Sequence, residues 1–455
     1  MVSIKDIIQN LPEIEGPVEK KLSFNVKAKW TITILITFFI LSTISLYGLS
    51  ANALSRFEQL EIILGASFGS IISLGIGPIV MASIILQLLV GSQILNIDTK
   101  TKEGKKYFQG LQKLLVLFFI VFESIIYVVM KGLEAVPGYE GIVILQLCAG
   151  GLAILFMDEI SSKWGFGSGV SLFIAAGVSK QIMISLFQFV NPQRGIEPIG
   201  RALVFINAII VGDASQATIS LVAILITIGI FLAIVWAQSL KVELPLSYDR
   251  IRGYGIKWPL SFFYTSVIPV ILVSALAANI QLFGSLLQNW LGRPTILGGF
   301  SEQGVAISGF SYWIAPIDLV GIILRGGFQN HMIIVVICHV LFYVSLSTLF
   351  AIFWVKTSGM DAQSQAKNIL SSGLTIPGFR KDSRILESVL NRYIWPLTIM
   401  GGAAIGLIAS LSNVLGAIVQ GTSLLLVVMI MFQFYQSIAQ QHAVDMHPAL
   451  KKIIK

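Results

Sequence analysis

The sequence predicts an all-α polytopic membrane protein, with ten transmembrane helices arranged as two inverted five-helix halves. The chain of 455 residues holds 55% hydrophobic and only 12% charged positions, with a mean hydropathy of +0.84. A soluble chain carries about 25% charged residues. Ten apolar runs follow one another along it, each near the 17–25 residues that a helix needs to cross a bilayer. A polar stretch opening at Asn191-Pro192-Gln193-Arg194-Gly195 leaves five runs on either side. An odd number per half forces the second half to sit inverted relative to the first, an arrangement known in transporters.

Taken in order, the first thirty residues lack the early apolar core and small-residue cleavage site of a signal peptide. Ile4, Ile7, Ile8 and Leu11 fall at helical spacing, as in an amphipathic helix lying on a membrane; a frayed tail is the alternative. The spans are read at Trp30–Leu49, Ile71–Val90, Leu111–Val129, Gly141–Met157, Val170–Phe189, Ile219–Trp236, Phe262–Leu287, Met332–Trp354, Ile394–Leu411 and Val414–Phe434. Gly75-Ile76-Gly77-Pro78 breaks span two. Non-helical backbone at membrane depth is tolerated where protein covers it or where it lines a watery path, so this span reads as pore wall. Pro269 occupies a comparable place in span seven, although kinks in a bundle would also account for both prolines. Between spans one and two, the short piece Phe57–Phe68 carries Glu58, Gln59 and Glu61. It is too short to cross and reads either as a half-helix folded back toward the bundle or as an external loop helix.

Basic residues set the orientation expected. With a cytosolic amino terminus, the inside receives Lys5, Lys20, Lys21, Lys27 and Lys29, the lysines from Lys100 to Lys106, Lys163, the loop at 241–258, the loop at 356–392, and Lys451, Lys452 and Lys455. The outside receives only Arg56, Lys131, Arg194, Arg201, Arg293 and Arg325. This is the positive-inside pattern with both termini cytosolic. Of the two long basic loops, 241–258 alternates apolar and polar residues about a turn, as a hairpin does. The loop at 356–392 has Pro377-Gly378 as a turn tip between helical pieces. Such loops either simply enforce topology or form a binding surface.

Ionisable groups at depth normally face the bundle interior or water. Glu123 in span three reads as an interior polar contact rather than a proton relay, because no further carboxylates or histidines accompany it. Lys180, Asn279 and Asn413 also fall within or beside apolar runs, and His339 reads as a hydrogen-bonded packing residue. Cys148 and Cys338 read as small packing residues rather than a disulfide. No phosphate-binding loop, His-Glu-x-x-His or nucleophile–base pairing is visible, so neither an enzymatic centre nor a cofactor or metal site is expected.

At several stretches the residues match a known family. They are Leu74-Gly75-Ile76-Gly77-Pro78-Ile79-Val80, Gln87-Leu88-Leu89-Val90-Gly91-Ser92, Phe108-Gln109-Gly110-Leu111-Gln112-Lys113-Leu114, and Gly165 through Ile174. Further along come Ile268-Pro269-Val270-Ile271, Ala278-Asn279-Ile280-Gln281 and Gly421-Thr422-Ser423-Leu424-Leu425-Leu426. Over nearly its whole length the chain resembles the SecY family, the main subunit of the Sec protein-conducting channel, in its archaeal and eukaryotic branch. The resemblance implies two halves, 1–190 and 219–455, joined by an external hinge at 191–218 and closing like a clamshell about an hourglass pore. It implies an apolar ring of Ile76, Val80, Val170, Ile174, Ile271 and Leu426 at the waist, with residues 57–68 as a plug. Independently of the family, Ile76 with Val80 and Val170 with Ile174 share a helix face. The resemblance further implies a lateral gate between spans two and three and spans seven and eight, bridged by a polar cluster that includes Glu123 and Asn279. The third cluster position, a hydroxyl residue in some relatives, is Met81 here, with Ser83 nearby. Ribosome docking would fall to Lys241, Arg250, Arg252, Arg380 and Lys381. The implied partners are small SecE-like and Sec β-like membrane subunits, the ribosome, nascent polypeptides with their signal sequences, and the lipid of a cell membrane, or of the endoplasmic reticulum in a eukaryote; no direct DNA binding is implied. The competing class is a secondary transporter of a small solute, with a membrane enzyme third. Ligand-bearing side chains at mid-depth would mark the transporter.

Overall fold

The computed structural model describes residues 12–18, 22–52, 54, 64, 66–97, 101–189, 199–248, 255–265, 268–301, 304–375, 382–419 and 421–446. In chain order its helices are α1 (Phe24–Thr43), α2 (Gly77–Gly91), α3 (Lys102–Val129), α4 (Glu140–Trp164), α5 (Gly169–Phe187), α6 (Arg201–Val211) and α7 (Ala214–Ser239). They continue as α8 (Ile268–Leu291), α9 (Phe310–Ile314), α10 (Leu319–Leu324), α11 (His331–Thr357), α12 (Ala362–Ser371), α13 (Ser383–Val414) and α14 (Gly421–Met446). All ten predicted spans are present. Among the described residues, nine spans are long and apolar enough to cross a bilayer. The tenth, α2, has 15 residues, which is about 22 Å at 1.5 Å per residue. The turns over residues 71–76 supply the rest of the depth in non-helical form, where the Gly-x-Gly-Pro break predicts it.

Several ends differ from the sequence reading. α1 starts at Phe24 rather than Trp30, because Lys27 and Lys29 in its first turns can lie along the helix and keep their charges in the headgroups. It stops at Thr43, and Leu49–Asn52 form β1, antiparallel to β2 (Leu133–Ala135). Span nine is the latter part of α13, a 32-residue helix whose N-cap Asp382 accepts from the Arg384 amide at 2.9 Å and which runs on through Pro396. Val414 closes that helix, and a turn with Gly416 at φ +74° separates it from α14. The stretch 191–218, read as a loop, contains α6, and Asp213 within it caps α7 through the Ser215 and Gln216 amides. Lys180 is exposed on α5.

The hairpin expected in the first basic loop is present. β3 (Lys241–Tyr248) runs antiparallel to β4 (Gly255–Ser261), with Leu244 opposite Trp258 and Leu246 opposite Ile256. On the opposite face, β5 (Gly299–Phe300) and β6 (Ala306–Ser308) form a small hairpin. The two basic loops are one unit: β7 (Leu374–Thr375), from the second loop, extends the first loop's sheet by pairing with Ser247 and Tyr248 of β3. Beneath that sheet lies a separate apolar cluster containing Leu244, Leu246, Leu260, Ala366 and Leu390. The Tyr264 hydroxyl donates to the Met360 carbonyl at 2.7 Å. The main core is a second, much larger cluster that runs continuously through the membrane helices.

Candidate functional site

A cavity of about 750 Å³ opens on the face that carries the basic loops. Its walls toward that face are polar, with Lys105, Gln109, Gln112, Lys367 and Asn368. At depth they turn apolar, with Val80, Val170 and Ile271. Those three, with Ile76, Ile174 and Leu426, belong to or pack on the main core cluster. Ile76 and Ile174 are 0% exposed and Leu426 1%, so these three lie within packed apolar protein.

Local chemistry explains where these side chains stand. Gly75 takes φ +53°, and a Cβ there would lie 2.2 Å from the Leu64 carbonyl oxygen; only glycine accepts both conditions. The chain then turns so that the Ile76 amide donates to that same carbonyl at 2.7 Å. Leu64 is thereby the point where the segment read as a plug touches the ring position Ile76. Residues 57–63 and 65 lie outside the described residues. On α5, the Val170 amide donates to Asp158 Oδ1 at 2.9 Å, and the Ser168 hydroxyl reaches the same oxygen at 3.3 Å. A Cβ on Gly169 would lie 2.6 Å from the Asp158 Cα. The Gly-Ser-Gly-Val run is therefore a tight turn strapped to α4, and it delivers Val170 and, one helical turn on, Ile174.

α2 and α3 pack against α8 and α11 along a seam. At one end of the seam, α2 closes on α11 so tightly that a Cβ on Gly91 would lie 2.6 Å from Cγ of Phe353. Glu123 is fully buried on α3, and among the described residues no donor reaches either of its oxygens. Its Oε2 lies 3.2 Å from where a Gly77 Cβ would stand, against the first turn of α2, the positive end of that helix's dipole. Asn279, also buried, donates to its own helix at Ala275 O (2.8 Å), while its Oδ1 has no partner among the described residues. The structure therefore brings Glu123 to α2 and leaves Asn279 turned back on α8, with no hydrogen bond joining the two. Met81 packs on the core. Ser83 receives a hydrogen bond at 2.7 Å from Gln112, which ties α3 to α2. Gln112 escaped the reading of residues as site candidates, although it lies within a quoted motif.

Of the predicted docking residues, Lys241 is exposed at the start of β3, opposite Ser261; Arg250, Arg252, Arg380 and Lys381 lie outside the described residues. Across the hairpin Lys257 pairs with Glu243 at 2.6 Å, and that hydrogen bond raises the Lys257 ammonium above its ordinary range. A contact that spacing could not reveal fixes residues 13–15 to this face. The Ile14 amide donates to Glu159 Oε2 (3.0 Å), the Trp164 indole to Glu15 O (3.1 Å), and Lys163 pairs with Glu13 at 2.5 Å. Lys163 also donates to the Ile14 carbonyl, and Lys113 pairs with Glu159. The hydrogen bond from Lys163 holds the Glu13 carboxyl below its ordinary value. Among the described residues no cluster of His, Cys, Asp and Glu is placed to hold a metal ion.

A bundle of membrane-crossing helices around a polar-mouthed cavity that ends in packed apolar side chains has the architecture of a channel or transporter. Comparison with known proteins makes the class specific. Residues 70–435 match the family model described as SecY, and the chain belongs to the SecY family. It is 42% identical to the protein translocase subunit SecY of Methanothermobacter thermautotrophicus over 98% of this chain and 96% of the relative. A solved structure described as a protein-conducting channel superposes with a TM-score of 0.82 at 37% identity, covering 98% of this chain and 99% of that one. Sec61 in the canine ribosome–channel complex from the endoplasmic reticulum superposes with a TM-score of 0.79 at 36% identity, over 98% and 99% of the two chains.

Proposed function

We propose that this chain is the central subunit of a protein translocation channel, which passes unfolded secretory polypeptides across a membrane and releases apolar segments sideways into lipid. The observation that carries the reading is the cavity itself: a polar mouth on the basic face above a floor of Val80, Val170 and Ile271. An extended chain needs a water-filled entrance, and an apolar constriction closes it to ions by dewetting. Ile76, Val80, Val170, Ile174, Ile271 and Leu426 form that constriction, and residues 57–68 plug it.

The halves 1–190 and 219–455 part along the seam of α2 and α3 against α8 and α11. Buried Glu123 and Asn279, each with an acceptor unmet among the described residues, are the polar groups placed to gain partners when the seam rearranges. Sorting follows from partitioning. A leucine, isoleucine, phenylalanine or valine at a helix centre contributes about −0.3 to −0.6 kcal/mol, whereas a central charge costs about +2.5 to +3.5 kcal/mol. A segment facing an opened seam therefore moves into lipid or stays in the pore according to its composition.

The basic face is cytosolic, with both termini on that side, and the protein resides in the cell membrane. The joined sheet of β3, β4 and β7 presents Lys241 to the ribosome, and Arg250, Arg252, Arg380 and Lys381 of the same two loops take part in docking, as the likeness to ribosome-bound Sec61 supports. Small SecE-like and Sec β-like subunits complete the channel. It is a passive conduit: the sequence carries no motif that would couple it to ATP. A small-solute transporter would instead need ligand-bearing groups where this cavity ends in aliphatic side chains. Proteoliposomes holding the complex test the reading: with ribosomes they should import a secretory polypeptide, and a failure to do so would sink it.

A further inference from the structure

We propose that His339 and Asn413 form a polar strut that sets the depth and rotation of α14 and thereby places Leu426. The inference rests on the reading of Leu426 as a ring residue for its consequence, but not for its geometry. His339 on α11 is 0% exposed and Asn413 near the end of α13 is 7% exposed, at a depth where polar groups are costly unless paired. The His339 Nδ1 lies 2.8 Å from the carbonyl of Ile314, the last residue of α9. A carbonyl only accepts, so Nδ1 carries the ring proton and Nε2 is the acceptor. Asn413 Nδ2 lies 3.3 Å from Nε2 and donates to it. That orientation turns Asn413 Oδ1 toward the Gly421 amide, which donates at 2.7 Å. Each assignment forces the next, and reversing any one would set two donors or two acceptors face to face.

The strut ends on the first residue of α14. An amide there has no partner within its own helix, and Asn413 supplies the missing acceptor from α13. The fit has no slack, since a Cβ on Gly421 would lie 1.8 Å from the Ser412 Cβ. Leu426 follows five residues on, about 7.5 Å along the axis at 1.5 Å per residue. A slip or rotation at Gly421 is therefore carried directly to the ring. α9, α11 and α13 thus act together on α14 through two side chains, both positioning residues that touch no translocating chain.

The first test needs no variant. The chain has four histidines, and ¹⁵N-histidine NMR in proteoliposomes should show His339 as the Nδ1–H tautomer, the less common form in free histidine. A Nε2–H form assigned to His339 overturns the proposal. The second test compares N413L with N413D, which keeps an oxygen for Gly421 but loses the donor to His339. Hydrogen exchange at the Gly421 amide should quicken at least tenfold in N413L and much less in N413D; unchanged exchange in N413L overturns the strut. Resting ion conductance, with a triple serine replacement in the ring as benchmark, separates the two readings. A leak in both the benchmark and N413L supports both, a leak in the benchmark alone refutes the positioning role, and no leak in either refutes the ring reading and leaves the strut to be decided by the exchange result.

Discussion

Replacing Gly91 with alanine should bias the channel toward its open arrangement. The new Cβ would stand 2.6 Å from Cγ, 2.7 Å from Cδ1 and 3.0 Å from Cβ of Phe353, against an optimum of about 3.5–4.0 Å between carbon atoms. Cγ and Cβ are the root of the side chain and lie on the axis about which the ring turns, so turning the ring cannot relieve the contact with them. α2 and α11 must therefore part by about an ångström at this point. Overpacking of this kind costs about 1–3 kcal/mol. In the proposed mechanism the two helices lie on opposite sides of the seam, so the penalty falls on the closed arrangement and is relieved on opening. At about 1.4 kcal/mol per decade, the opening equilibrium shifts by about 5- to 150-fold. Single-channel recording of the reconstituted complex without substrate measures this as open probability. The cavity made by F353A should absorb the new methyl, so G91A/F353A should return to within about twofold of F353A alone, the coupling that a double-mutant cycle isolates. An open probability in G91A equal to the parent's, or no rescue by F353A, would refute the argument.

Replacing Ile76, Ile174 and Leu426 together with serine should raise resting ion conductance while polypeptide passage persists, because the barrier depends on an apolar lining; an ion-tight triple variant would return these residues to ordinary packing. Reversing Arg252 and Arg380 to glutamate should weaken ribosome binding in cosedimentation, most strongly at low salt where attraction is least screened, and unaltered binding would leave the basic loops as topology signals alone. Glu13 has its carboxyl held below the ordinary 4.5, chiefly by the hydrogen bond from Lys163. A depressed folded-state value stabilises above the unfolded value and is lost as pH falls through the folded one. Limited proteolysis near residue 18 should therefore be slow at neutral pH and quicken only below the ordinary carboxylate range, whereas K163M should be cut rapidly at pH 7; equal cutting of parent and K163M would dismiss the clamp.

The spans were legible because apolar run length is a direct imprint of bilayer thickness, and the break at Gly75–Pro78 because those residues cannot continue a helix. The hairpin at 241–258 was legible from strict alternation. Helix ends were less so, since hydropathy does not separate a helix from the strand that follows: Leu49 counts as apolar in either. Span nine hid its first turns because Arg384, Glu387 and Arg392 are polar, although one helix runs unbroken from Ser383. The ring positions came from family resemblance, supported by spacing only for the pairs within α5 and at the start of α2. Contacts between distant segments left no local trace at all. The pairing of β7 with β3, the clamp of Glu13 on Lys163 and the strut from Ile314 to Gly421 each join residues whose separation in sequence carries no period.

Site-specific crosslinking of a stalled nascent secretory chain tests the central claim most directly. Single cysteines at Ile76, Val80, Ile174, Ile271 and Leu426 would be compared with cysteines at Leu145 and Ile210, which are 70% and 76% exposed on the outside of the bundle. The account predicts that a chain long enough to span the membrane links to the ring positions and not to the outer ones. Linking at the outer positions with none at the ring would contradict it.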